Sequence, residues 1–171
     1  NRNINEHTLF TEEKHDRKML KTLEMCYHSA PYYADTMALI RRVMNCGEDN
    51  LARFLAFGIK EVARYLGMNT VFYFSSEFEK DNTLKAMERI LDICSRLGAD
   101  TYINAIGGRA LYHAEDFEKR GMQLYFLKMD EDIVYEQGKG EFLPSLSIID
   151  VMMYNSPEEI RELLKRFSLI P

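Results

Sequence analysis

The chain has 171 residues, 46% of them hydrophobic and 29% charged, with a formal net charge of −5. That length supports one domain with a real core and is short for two, and the balance is that of an ordinary soluble globular protein rather than a disordered or fibrous one. Lys and Arg are scattered among acids, which argues against a nucleic-acid footprint, since that needs basic residues gathered on one face.

The first predicted element is a helix over 11–29, "TEEKHDRKMLKTLEMCYHS". Thr11 is a candidate N-cap, Glu12 and Glu13 suit the positive end of the helix dipole, and Leu20, Leu23 and Tyr27 form an apolar stripe. Pro31 ends it. A second helix covers 34–47 and closes at Gly47. The third, over 50–68, has the clearest periodicity, with Leu51, Phe54, Leu55, Ile59, Val62 and Leu66 on one face. "TVFYF" (70–74) is dense in β-branched and aromatic residues and reads as a strand. A helix over 81–98 follows, with Asp81 or Asn82 as cap and Leu84, Met87, Leu91 and Cys94 on one side. "TYINAI" (101–106) is a second strand, 113–121 a short helix and "MQLYFLKM" (122–129) a third strand. The polar stretch 130–142 is a loop with room for one short extended piece. Helices are predicted over 145–155 and 156–167. The last has a strong start: Ser156 as N-cap, Pro157 at the first position and Glu159 three residues on.

Strands separated by helices imply parallel pairing through right-handed crossovers. The runs 70–74 and 122–129 are continuous rather than alternating in polarity, which suits strands covered on both faces. The expected fold is therefore α/β, a Rossmann-like three-layer arrangement with a mostly parallel sheet and a helical N-terminal portion packed against it. A single domain is expected over 1–171, mainly helical over 1–67 and alternating over 68–171.

Three cysteines, Cys26, Cys46 and Cys94, are widely spaced and form no CxxC. A disulfide framework or zinc ribbon is not expected, and a reducing cytoplasm is the expected setting. No apolar stretch nears the length of a membrane span, and no signal peptide is found. The histidines at 7, 15, 28 and 113 form no HExxH pair, so no metal site is expected. No Gly-x-Ser-x-Gly elbow accompanies the Ser, His and Asp residues present. The methionines at 44, 68, 87, 122, 152 and 153 read as core fillers.

In an open parallel sheet, ligands bind outside the carboxyl ends of the strands. That rule selects Ser75-Ser76-Glu77, the stretch Asn104 to Gly108, and the loop from Asp130. Ser76 and its neighbours could hold a sugar or phosphate, or act as plain turn and cap residues. Gly107 and Gly108 would allow positive φ and close approach to a ligand, although no Gly-x-Gly-x-x-Gly or Gly-Lys-Ser/Thr motif is present, and a plain turn is an equal reading. Tyr135, Gln137 and Asp150 are polar groups amid apolar surroundings. Ser147 or Ser145 caps the helix carrying Asp150. Asp150 is then either a first-turn acid favoured by the helix dipole or a buried acid facing a site.

The stretches "RILDICSRLGADTYINAIGGRALY" (89–112), "DFEKRGMQLYFL" (116–127) and "YEQGKGEFLPSLSIIDVMMYN" (135–155) resemble the WbqC-like protein family, and "LKTLEMCYHSAPYY" (20–33) is similar to the helix and Ala-Pro-aromatic corner of that family. The combination of "LGADTYIN", "GG" and "LSIID" in this order carries the resemblance. It implies a role in bacterial surface polysaccharide (O-antigen) or nucleotide-sugar precursor synthesis, as a transferase. The alternative is a non-catalytic ligand- or partner-binding protein of the same pathway. By position, the resemblance selects Ser76, Asn104, Gly107, Gly108, Tyr112, Tyr135, Gln137 and Ser147 as ligand-binding residues and Asp150 as the catalytic or orienting acid. The implied partner is a small sugar or nucleotide-type ligand, with no nucleic acid, no membrane span and a homodimer left open. No cofactor is identified. Family members usually open with a strand and a Gln-Pro-x-aromatic-aromatic-Pro-Trp stretch before an Asn-Arg-Asn segment. This chain lacks Trp and opens on Asn1-Arg2-Asn3, so the first strand and its loop are expected to be missing here.

Overall fold

The computed structural model describes residues 2–10 and 13–171. Its helices are α1 (Glu13–Tyr27), α2 (Tyr33–Met44), α3 (Leu51–Tyr65), α4 (Ala86–Arg96), α5 (Ala114–Glu118), α6 (Ile148–Tyr154) and α7 (Pro157–Leu163). Its strands are β1 (Thr101–Ala105), β2 (Gln123–Met129) and β3 (Phe167–Ile170). The expected cap Thr11, the dipole acid Glu12 and Asn1 lie outside the described residues. Among the described residues no helix is long and apolar enough to cross a membrane. The chain divides into two compact units. One takes the chain up to Phe72 together with Val134–Leu164, and the other takes Tyr73–Ile133 together with Lys165–Pro171.

The first unit is helical. The predicted stripe of α1, Leu20, Leu23 and Tyr27, packs on a core of Ala30, Met37, Ile40 and Met153. A second cluster joins Leu39, Leu66, Met152 and Ile160. The last carbonyls of a helix have no partner within it and need outside donors. For α6 these come from its surroundings: Thr36 Oγ1 donates to Met152 O at 2.9 Å, Tyr32 N to Met153 O at 3.0 Å, and Asn155 Nδ2 to Val151 O at 2.8 Å. The start of α7 is the predicted capping box. Ser156 Oγ accepts from Glu159 N at 3.2 Å, and Glu159 Oε2 accepts from Ser156 N at 2.7 Å.

Helix α3 differs from its predicted face. Leu66 is buried, but Leu55 and Ile59 are exposed. The buried side carries Glu61 and Ala63 instead. Glu61, 2% exposed, accepts from Arg42 Nη1 of α2 at 2.8 Å and from Arg64 Nη1. Hydrophobic spacing alone could not reveal this, because an ion pair turns a carboxylate into an acceptable core residue. Met122, Met152 and Met153 are core residues, whereas Met68 is exposed.

The second unit is α/β. Its sheet runs β1-β2-β3, with β1 and β2 parallel and β2 and β3 antiparallel. This corrects the expected architecture: the sheet is mixed, not mostly parallel, and three strands of this kind do not make the expected Rossmann-like three-layer arrangement. Two misread segments account for the difference. Residues 70–74 form no strand, and Val71 and Tyr73 are exposed. β propensity expresses fit to a paired, half-buried pleat, and this segment has no such pairing. Conversely, Phe167–Ile170 leaves the helical pattern and pairs with the free edge of β2, from Phe126↔Ile170 to Met129↔Phe167. Burial along β2 alternates as well: Leu124 and Phe126 are buried, Gln123 is exposed, and Tyr125 and Leu127 are half-buried. The buried face packs with Leu91 and Cys94 of α4 and Phe117 of α5. Helix α4 has its N-cap position at Lys85 rather than at Asp81 or Asn82. The Asp81 carboxylate is taken by a local turn, accepting from Thr83 N at 2.8 Å.

Candidate functional site

The first unit gathers four polar side chains from three distant stretches. Ser147 ends the preceding loop by accepting from Ile149 N at 3.2 Å, which starts α6 and fixes Asp150 in its first turn. Asp150 is 4% exposed. Its carboxylate accepts from Tyr27 Oη of α1 at 3.0 Å through Oδ1. Through Oδ2 it accepts from Tyr135 Oη at 2.6 Å and from Gln137 Nε2 at 2.9 Å. An ionised carboxylate in a dry setting needs several donors, and this one has three. Of the two readings of Asp150, burial fits the structure; the first-turn position adds the dipole's support.

Gln137 does two things with one amide. Besides reaching Asp150, its Nε2 donates to Leu143 O at 2.9 Å and its Oε1 accepts from Leu143 N at 2.7 Å. The side chain thus pairs with Leu143 as a neighbouring strand would and closes the loop 138–142. Tyr135 and Phe142 brace it, ring edge to ring face, with centroids 5.3 Å apart. Beside this loop lies a cleft of about 620 Å³ lined by Cys26, Ser29, Glu136, Gln137, Lys139 and Tyr154, among others. Gln137 belongs to both the buried network and the cleft wall. Asp150 and Tyr135 are behind the wall.

Burial and the Asp150 carboxylate disfavour a second negative charge at the tyrosines. The Tyr27 hydroxyl is pushed up to about 12, chiefly by burial and then by its bond to Asp150. Tyr135 is likewise pushed up to about 12 by burial and by Asp150, with Gln137 opposing. The ordinary value is 10.0. Between these limits an unfolded chain has released protons that the folded chain retains, so stability falls as pH rises through this window and is fully present below it. The expected result is a melting temperature that declines above pH 10 and a shallower decline in Tyr27→Phe. Calorimetry against pH checks it, and identical slopes in the two proteins would remove the tyrosines from the explanation.

The remaining predicted residues are in the second unit. Ser76 is exposed, in a single 3-10 turn, Ser75–Glu77. Asn104 is the penultimate residue of β1 and accepts from Ala105 N at 2.8 Å through its own side chain. Neither Gly107 nor Gly108 has positive φ; both belong to the 3-10 helix Ile106–Leu111. A Cβ at Gly108 would lie 2.5 Å from Asn104 Nδ2, so the Asn104 side chain would have to turn aside. Gly108→Ala is expected to cost about 1 kcal/mol or less, because the Asn104 amide can turn aside with at most the loss of its bond from Ala105 N, and Asn104→Ala in the same chain should recover most of it. Urea denaturation of the four-member cycle measures this; additive losses would contradict it. Tyr112 packs edge-on with Tyr102 and Phe117, centroids 5.6 and 6.0 Å away. It also borders a cleft of about 360 Å³ with Arg109 and His113. Among the described residues no group of three His, Cys, Asp or Glu side chains could hold a metal ion.

Tyr27, Tyr154 and Lys139 were not singled out by sequence. A tyrosine in an apolar stripe reads as core, and its hydroxyl contact with a residue 123 positions away has no local signal. The "GKG" of 138–140 was visible as a loop marker only.

The chain thus combines an α/β unit built on a small mixed sheet with a helical unit in which a buried carboxylate braces a polar cleft. The chain belongs to the WbqC-like protein family, whose model matches residues 1–162. Comparison with curated proteins gave no match, and comparison with solved structures gave none either.

Proposed function

We propose that the helical unit binds a sugar or nucleotide-sugar ligand in the cleft walled by Gln137, and that the protein is a transferase acting on a precursor of bacterial surface polysaccharide. The observation that carries this reading is the coupling of Gln137 to Asp150 and Leu143: with both amide protons spent inside the fold, the side chain fixes the cleft-lining loop 138–142, so the wall is preorganised for a polar ligand. The cleft's volume is in the range of small-molecule sites, roughly 300–1,000 Å³. The edge of Tyr154 and the hydroxyl of Ser29 supply the mixed surface that a sugar ring requires. The polysaccharide setting is supported by the family resemblance.

In this reading Asp150 is a positioning residue. It acts through Gln137 and Tyr135 rather than on the ligand, and Ser147 holds the helix start that carries it. The test is calorimetric titration with nucleotide sugars, followed by assay for nucleotide release with a glycan acceptor. Gln137→Ala should weaken binding at least tenfold while the protein remains folded. Unchanged affinity would move the ligand elsewhere, and binding without nucleotide release would favour the non-catalytic alternative.

A further inference from the structure

The loop that Gln137 closes carries more than the network uses. Its tip reads Gly138-Lys139-Gly140, and both glycines are at positive φ, +82° and +136°. A side chain at 138 would face strain from the backbone, and its Cβ would lie 3.2 Å from Tyr154 Oη. The backbone at 138 therefore lies against the Tyr154 ring, which no bulkier residue permits. Lys139 is held between these two fixed points and lines the cleft together with Tyr154 and Ser29.

Lys139 has neither an ion pair nor a hydrogen bond among the described residues. Its ammonium group has three donors to place. Glu136 lines the same cleft and is also without an ion-pair partner there. A bare anion would meet attraction from one and repulsion from the other. A ligand with an anionic group at one end and hydroxyls at the other satisfies both: the anion accepts from Lys139, and the hydroxyls donate to Glu136.

We propose that Lys139 anchors the anionic group of an acidic sugar ligand, a phosphate or a carboxylate, with Glu136 accepting from the sugar hydroxyls. This rests on the reading that the cleft takes a sugar-type ligand. The Gln137–Leu143 closure and the two glycines fix the backbone from which Lys139 lines the cleft.

The experiment titrates the wild-type chain, Lys139→Ala and Lys139→Arg with four probes: glucose, glucose 1-phosphate, glucuronate and inorganic phosphate. Lys139 is exposed, so its removal leaves the core intact, and circular dichroism confirms this. The expected result is that one of the acidic sugars binds the wild type about tenfold more tightly than Lys139→Ala, as loss of one charge-assisted bond predicts. The salt dependence of binding flattens in Lys139→Ala, and Lys139→Arg keeps most of the affinity. The tighter of the two acidic sugars assigns the anion as phosphate or carboxylate. Equal binding of the acidic sugar by wild type and Lys139→Ala overturns the inference and leaves the sugar-cleft reading standing. Phosphate bound by wild type and lost in Lys139→Ala, with no sugar bound, keeps the anion site and overturns the sugar reading. No binding of any probe overturns both.

Discussion

Asp150→Ala is expected to destabilise the helical unit by about 3 kcal/mol. Three donors, Tyr27, Tyr135 and Gln137, lose their acceptor together. All three residues are half-buried, so each sits at the low end of the cost of an unsatisfied group, about 1 kcal/mol. Gln137 retains Leu143, which keeps the loop from opening fully. Asp150→Asn should cost less, about 1 kcal/mol, because the amide oxygen can still accept from Tyr135 and Gln137 while the Tyr27 hydroxyl turns to accept from the new amine. The order Ala, then Asn, then wild type in rising urea midpoint is the diagnostic. An alanine variant within 0.5 kcal/mol of wild type, about the scatter of a neutral surface substitution, would show that the three donors find water at no loss.

The second large effect concerns Glu61, and here the partner that is removed decides the outcome. The side chain of Glu61 is 1% exposed, while those of Arg42 and Arg64 are 58% and 68% exposed. Deleting the carboxylate frees two guanidinium groups that already reach water. Deleting the arginines strands a charge in the core. Arg42→Ala with Arg64→Ala is therefore expected to cost about 3–5 kcal/mol, the usual loss for an uncompensated buried charge. Glu61→Leu should change stability by about 1 kcal/mol or less in either direction, since apolar replacement of a buried pair is often neutral. Denaturant titration of the two variants compares them directly. A leucine variant less stable than the double arginine variant would reverse the assignment of which group is costly to leave behind.

How much of this was readable from sequence depended on whether the deciding interaction was local. The capping box of α7 and the stripe of α1 are set within a few residues, and both are present as predicted. The pairing of Phe167–Ile170 with β2 is decided by an edge some forty residues upstream, so a four-residue run at the end of a helical pattern carried no signal of it. Residues 70–74 show the converse, strong propensity without a partner. The site divides along the same line. Tyr135, Gln137 and Asp150 stand out as polar residues in apolar company and do meet in space, while Ser147, one of two candidate caps, takes the cap position of the helix that carries Asp150. Asn104 and Gly108 also meet, but the contact is their own, a side chain filling the space that a missing Cβ leaves. Tyr27 was hidden because its ring belongs to the core and only its hydroxyl belongs to the network.

The interleaving of the two units along the chain has a consequence for synthesis. A ribosome releases α1 to α3 long before the α6 and α7 segments that complete their cores, and the α/β segments emerge in between. The edge of β2 that β3 covers stays unpaired until residues 167–170 leave the exit tunnel. An open strand edge is a template for pairing with another nascent chain. Lys128 on that edge, and the acidic run Asp130, Glu131 and Asp132 just past it, place charge where such pairing would begin, and Arg166 later neutralises part of that acidic charge through Asp130 and Asp132 as β3 docks.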